Sequence, residues 1–138
     1  MEESVLQDLE FAEKLLTENE SSIVVVKNGE VLAQKQGEGI KPSLETIDEL
    51  GKQMQGSIVA DKILGKASAM LYAYVKVSAV FSPRSTKTAL AVLIRAGIPG
   101  QTDEMVPFVK EGMCEFERLL VTIDSPEEAY KVLKQSLE

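Results

Sequence analysis

The chain has no histidine and a single cysteine, Cys114, in 138 residues. Without histidine there is no imidazole to act as general base or metal ligand, so Ser-His-Asp and Cys-His machinery is excluded, as is a zinc site of the Cys/His type. One cysteine allows no internal disulfide. Positive charge is also scarce: 15 basic residues stand against 22 carboxylates, a net charge of −7. General nucleic-acid binding needs a basic face that displaces counterions from phosphates, and this balance argues against it. Long apolar runs are missing too. Ile23–Val26 and Ala89–Ile94 fall well short of the roughly 20 residues that cross a bilayer. The opening MEESVLQDLEF is acidic where a secretory signal would be basic and then apolar. A cytoplasmic protein without membrane contact is expected. Its 44% hydrophobic and 27% charged content suits one ordinary globular domain spanning residues 1–138.

What is present reads as alternating elements. SIVVVKNGEVLAQ sets two β-rich runs about Asn28-Gly29, whose tolerance of positive φ suits a type I′ hairpin. Before it, Ser4 with Gln7 resembles a capping box, and Val5, Leu9, Ala12 and Leu16 recur at helical spacing. After it, GEGIKP (Gly37–Pro42) is a loop. Pro42 then opens a helix with Leu44, Ile47 and Leu50 on one face, ended by Gly51 or Gly56. VADKILGKASAMLYAYV (Val59–Val75) predicts a further helix, with Ile63, Ala67, Met70 and Tyr74 on one stripe and Gly65, Ala69 and Ala73 on the next. VSAVFSP predicts a buried strand, Val77–Phe81, closed by Ser82 and Pro83. Ser85 or Thr86 caps the helix TKTALAVLIRA, which Gly97 ends. Ile98 begins another strand, interrupted by Pro99 and Gly100, and Thr102–Val121 shows no clear pattern. Finally, Ser125, Pro126 and Glu128 start a helix over about residues 125–138, an element appended to the rest. The order predicts an α/β fold, a three-layer α/β/α sandwich with a mixed sheet.

Val59-Ala60-Asp61 at one predicted helix start, and Ser82-Pro83-Arg84-Ser85-Thr86-Lys87 after the following strand, make this order similar to the cytidine deaminase-like fold. In that fold a hairpin precedes a helix carrying an H-A-E type motif, and a strand then leads into an S-P-C-x-x-C motif at the next helix. GEGIKP, VADKILGKASA, FSP and GMCEFE, spread over roughly residues 5–120, resemble more closely a bacterial family of unknown function within that superfamily. Zinc deaminases hold Zn²⁺ through one His or Cys and two Cys, so that bound water becomes hydroxide near neutral pH while an adjacent Glu moves protons. The likeness puts the histidine position on Val59, the Glu on Asp61 and the cysteines on Arg84 and Lys87. Valine cannot ligate, and Arg and Lys bring charge of the metal's own sign. Zinc-dependent deamination is therefore not expected, and no cofactor is implied.

The marked residues each allow two roles. Lys62 and Lys66 fall in the first turns of the predicted helix, where cations cost about 0.3–1 kcal/mol each. Either they are solvated or paired with carboxylates such as Asp48 and Glu49, or the helix start, both lysines and Arg84 converge on an anion such as phosphate. Asp61 either complements the helix dipole or serves as ligand acceptor or general base. Gly37 and Gly39 with Lys41 form a turn or an oxyanion nest. Ser82, Ser85 and Thr86 are caps, or with Lys87 they line a crevice at a strand-to-helix junction. Cys114 is a small apolar residue or an activated thiolate. The leading expectation is a non-catalytic or repurposed deaminase-like domain. It would bind a small anionic ligand, such as a nucleotide or related metabolite, between the Val59–Val75 helix and the Ser82–Lys87 turn. The alternatives are a metal-independent enzyme using Asp61 as base with Lys62 or Lys66, and a regulatory or protein-binding module, including a homo-oligomer.

Overall fold

A computed structural model of the chain describes residues 2–109 and 114–137. Its first helix, α1 (Glu3–Glu18), buries Leu9, Ala12 and Leu16, as their spacing predicts. The Ser4 capping box does not form: Glu2 is the N-cap and makes no side-chain bond, so Ser4 lies inside the first turn. The hairpin follows as β1 (Ile23–Lys27) and β2 (Glu30–Lys35). Asn28 and Gly29 take φ of +52° and +79°, the two left-handed residues that a type I′ turn requires. Helix α2 (Lys41–Leu50) carries Pro42 in its first turn and ends at Gly51, φ +53°, in a 3₁₀ turn, Gly51–Met54.

The next segment departs from expectation. Ile58–Asp61 is a strand, β3, and helix α3 begins only at Lys66 and runs to Tyr74. The β-branched pair Ile58 and Val59 is stitched on both sides, antiparallel to β1 and parallel to β4, and these ladders override the helical spacing that continues through the segment. Gly65 is the N-cap of α3. Lys62 therefore lies in the β3–α3 connection; it shares no helical face with Lys66, and Asp61 does not stand in a helical first turn. Strand β4 (Ala79–Ser85) runs through Pro83 instead of stopping before it. Pairing with β3 ends at Ala60–Phe81, so Pro83 falls where that neighbour has stopped and its missing N–H leaves no central ladder broken. Helix α4 (Lys87–Arg95), strand β5 (Gly100–Met105), helix α5 (Cys114–Leu119) and helix α6 (Pro126–Ser136) complete the chain.

The five strands take the order β2-β1-β3-β4-β5, with β1 antiparallel to both neighbours and β3, β4 and β5 parallel. Side-chain alternation divides the core. Val24, Val26, Ile58, Ala60, Ala79 and Phe81 pack against α1. Ile23, Val25, Val59 and Val80 face the other layer, with Leu44 and Ile47 of α2, Met70 and Leu71 of α3, Val92 and Leu93 of α4, and Leu133 of α6. This is the three-layer α/β/α sandwich with a mixed sheet. Helix α3 is its centre: Ala67 through Tyr72 are all buried, so it is apolar nearly all round, as a helix enclosed by its neighbours must be. Burying one such Leu or Met side chain contributes about 1.5–3 kcal/mol. Among the described residues no helix is long and apolar enough to cross a membrane.

Candidate functional site

The register brings three helix starts to one edge of the sheet. Asp61 ends β3 opposite Ile23, the first residue of β1, which also faces Lys35 at the end of β2. From that edge the chain enters α2 at Lys41, α3 at Lys66 and α4 at Lys87. The carboxyl ends of parallel strands are where α/β sheets commonly place ligands. Those of the marked residues that line a cleft or join a buried network here separate into three groups.

The first group is buried. Tyr72 Oη, on α3, donates to Asp61 Oδ2 at 2.5 Å and lies 2.9 Å from Ser43 Oγ on α2, while Asp61 Oδ1 accepts the Ile63 N–H at 3.3 Å. Asp61, Tyr72 and Ser43 are all buried. Burial lifts the Asp61 carboxyl from its ordinary 3.8 to about 7, against the lowering by hydrogen bonds from Tyr72, Ile63 and Ser68. Burial and the neighbouring carboxylate push the Tyr72 phenol upward as well. The chain of three oxygens is satisfied in either state. With Asp61 ionised, Ser43 donates to Tyr72 and Tyr72 to Asp61; with Asp61 protonated, the donors reverse.

The second group lies on the α1 side, where Lys62 and Arg84 share a cleft of about 710 Å³ with Ser22, Gly37, Glu38 and Glu20. Ser22 Oγ donates to the Gly37 carbonyl and accepts its N–H, at 2.7 and 3.1 Å, which pins the loop after β2. Glu20 and Glu38 offset the two cations.

The third group lies between the starts of α3 and α4, in a cleft of about 530 Å³. Lys66, Thr86, Thr88, Glu117 and Arg118 supply its polar groups, and Phe108, Val109 and Val121 its apolar walls. Thr86 caps α4 by accepting the Ala89 N–H at 3.2 Å. Lys66 Nζ donates to the Leu120 carbonyl at 2.7 Å and lies 3.9 Å from Asp124, so its partners are these and not Asp48 or Glu49, which pair with Lys134 and Lys35. The Glu117 carboxylate accepts the Ala67 N–H at 3.2 Å. Burial raises its pKa, opposed by hydrogen bonds at the start of α3 and by the Lys66 charge.

A cleft lies between the α3 start and the β4–α4 turn, and of the marked residues only Lys66 and Thr86 line it. Ser82 Oγ donates to the Arg84 carbonyl at 2.7 Å within the strand. Ser85 is buried, and its hydroxyl has no partner among the described residues. Lys87, Gly39 and Lys41 line neither cleft. Tyr74 stacks on Tyr130 of α6 with centroids 4.6 Å apart. The side chain of Cys114 lies outside the described residues. Ser43, Tyr72, Glu117 and Arg118 carry roles here that their sequence neighbourhoods do not signal. GMCEFE was marked only as part of a resemblance, and no spacing ties Glu117 to the start of α3.

The motif placement also changes. Val59-Ala60-Asp61 lies in a strand, not at a helix start, whereas of Ser82–Lys87 the first four residues lie in β4 and Thr86 and Lys87 cap and open α4. The deaminase-like order of hairpin, helix, strand and helix is met instead by β1–β2, α2, β3 and α3. The position between the two helix starts is occupied by Ser43, Asp61 and Tyr72, none of which forms a zinc set of the Cys/His type. Among the described residues no cluster of three His, Cys, Asp or Glu side chains could hold a metal ion.

Comparison with known proteins agrees with this architecture. A DUF1893 family protein (TM1506) from Thermotoga maritima, solved at 2.70 Å, is similar over 99% of this chain and 92% of its own, with a TM-score of 0.84 and 26% identity. RibD from Acinetobacter baumannii matches 72% of this chain at 15% identity and a TM-score of 0.55, and this chain spans only 35% of it. The dCMP deaminase of cyanophage S-TIM5 matches 74% of this chain and 99% of its own at 18% identity and a TM-score of 0.51. The last two likenesses show the deaminase-like fold. No curated protein matches the sequence. The profile of the TM1506 domain of unknown function (DUF1893) covers residues 11–137, and the chain belongs to that family.

Proposed function

We propose that this domain binds a small anionic ligand, a nucleotide or phosphorylated metabolite, in the cleft between the starts of α3 and α4, and that it does not deaminate by a zinc mechanism. The observation that carries the reading is the state of the α3 start. The first-turn N–H of Ala67 already donates to a carboxylate, in a cleft that also holds Lys66, Arg118 and the capped start of α4. Two helix N-termini with cations beside them favour an oxyanion, and Thr86 and Thr88 add hydroxyls. The apolar walls suit the body of a ligand larger than phosphate alone. One fold neighbour is a deaminase of dCMP, which makes nucleotides the first compounds to test.

Asp61 fits this reading as a structural group. Its carboxylate is enclosed by Tyr72, Ser43 and the β3–α3 backbone, so a general-base role would require the core to open.

The test is thermal shift followed by calorimetry with nucleotides, sugar phosphates and inorganic phosphate. Ligand at 100 times Kd adds about 2.7 kcal/mol of stability. Arg118→Ala should weaken binding by about 10-fold or more, the worth of a hydrogen bond to a charged group. A panel in which no compound stabilises the protein, or an Arg118→Ala variant with unchanged affinity, defeats the reading.

A further inference from the structure

The anion at the start of α3 is the protein's own. Glu117, presented by α5, reaches Ala67, the second residue of the nine-residue α3. The N-cap Gly65 offers no side chain of its own, and it is the clearance that admits Glu117: a Cβ there would lie 1.8 Å from Glu117 Oε1 and 2.6 Å from Val109 Cγ1. The fit is incomplete. Oε1 is buried and meets no partner at full hydrogen-bond geometry among the described residues; the backbone N–H groups of Ala67 and Lys66 and the Lys66 charge ease the carboxylate's desolvation, yet burial still raises its pKa. The Lys66 ammonium makes no direct bond to it among the described residues, being bonded to the Leu120 carbonyl just past the far end of α5. Among the described residues, Ser85 Oγ is the other buried side-chain atom without a partner; Ser85 precedes Thr86 in the chain but does not itself line the cleft.

We propose that Glu117 is a built-in competitor for the anion position at the start of α3, so that a ligand entering the cleft displaces it and releases α5 from α3. This rests on the anion-binding reading above and adds to it how the site is regulated. Both anions need the Ala67 N–H and the positive end of α3, so one excludes the other. Ligand affinity is then lower than the bare helix start would give, and occupancy is read out as a change in the position of α5. Thermodynamic linkage makes the coupling reciprocal: whatever holds Glu117 in place weakens the ligand, and the ligand loosens α5.

The experiment is an amide-resolved NMR titration of the wild-type protein, Glu117→Gln and Glu117→Ala with inorganic phosphate and with adenosine 5′-monophosphate. Glutamine keeps the shape and removes the charge, which guards against a misfolded alanine variant. The proposal expects the Ala67 amide and those of Glu115–Leu119 to shift together in the wild type, and both variants to bind roughly 5-fold or more tightly, the lower range of allosteric coupling. Equal affinities in all three proteins, or an Ala67 shift with the α5 amides unmoved, overturn the competitor and leave anion binding standing. If neither probe binds any of the three, both readings fall.

Discussion

Replacing Asp61 by asparagine tests the buried oxygen chain through the pH dependence of stability. In the unfolded chain this carboxyl loses its proton near 3.8, and in the folded protein it keeps it to about 7. Below the lower value both states are protonated and Asp61 is neutral in its effect. Between the two, the folded state holds one proton more than the unfolded state, so unfolding free energy falls as pH rises; above about 7 the loss is complete and the profile levels. Each pH unit between the two titrations is worth about 1.4 kcal/mol, which puts the total near 4 kcal/mol, an order-of-magnitude figure for so enclosed a group. Asparagine cannot ionise and reproduces the protonated pattern: Oδ1 keeps the Ile63 N–H, Nδ2 donates to Tyr72, and Tyr72 donates to Ser43. Asp61→Asn should therefore match the wild type near pH 4 and exceed it at pH 8 by a few kcal/mol. Urea unfolding at pH 4.5, 6 and 8 gives the comparison directly. Glu13 and Glu117, whose carboxyls are also raised, contribute a slope of the same sign to both proteins, so the difference isolates Asp61. Parallel profiles from pH 4 to 8, or a variant less stable than wild type at pH 8, would refute the reasoning.

Two further substitutions probe the cleft without a ligand. Gly65→Ala meets a backbone of φ −109° and ψ −177° that any residue adopts, so its cost is space alone: about 1–3 kcal/mol from crowding Glu117 and Val109, seen as a lowered urea midpoint. In the double variant with Glu117→Ala the loss should be smaller than the sum of the two single losses, because one substitution vacates what the other fills. Thr86→Ala removes the cap on Ala89 and should cost about 1 kcal/mol, seen as a melting temperature lower by about 4 °C.

Much of the fold is legible locally. Asn28-Gly29 announces the hairpin because only a few residues tolerate two successive left-handed conformations, and Ser125, which accepts the Glu128 N–H, marks the last helix by cap chemistry. Strand β3 is not legible. It has four residues, all buried, so it shows no alternation, and it runs into a segment whose Ile63, Ala67 and Met70 keep helical spacing. Gly65 reads as one of a stripe of small residues, yet it is the helix boundary. Strand β5, GQTDEM, is polar and largely exposed; its partner β4 makes it a strand, not its own composition. The site is harder still. Ser43 and Tyr72 are 29 residues apart, and Ala67 and Glu117 are 50 apart. Cap and periodicity rules reach a few residues, so pairs of this kind exist only once the sheet register has closed.

That register also decides where the sheet leaves an opening. The edge that gathers the starts of α2, α3 and α4 offers two interhelical positions. Between α2 and α3, Ser43, Tyr72 and Asp61 close the space with hydrogen bonds. Between α3 and α4 the edge is open, and the group that enters it is a carboxylate from α5. The positive end of α3 borders both positions, so sealing one leaves its remaining N–H groups to the other. Lys62, Arg84 and Asp61, conspicuous in the sequence, do not line that opening. The residues against which ligand binding is best tested are Lys66, Thr88, Arg118 and Glu117, because they face the one side of α3 where an anion already sits.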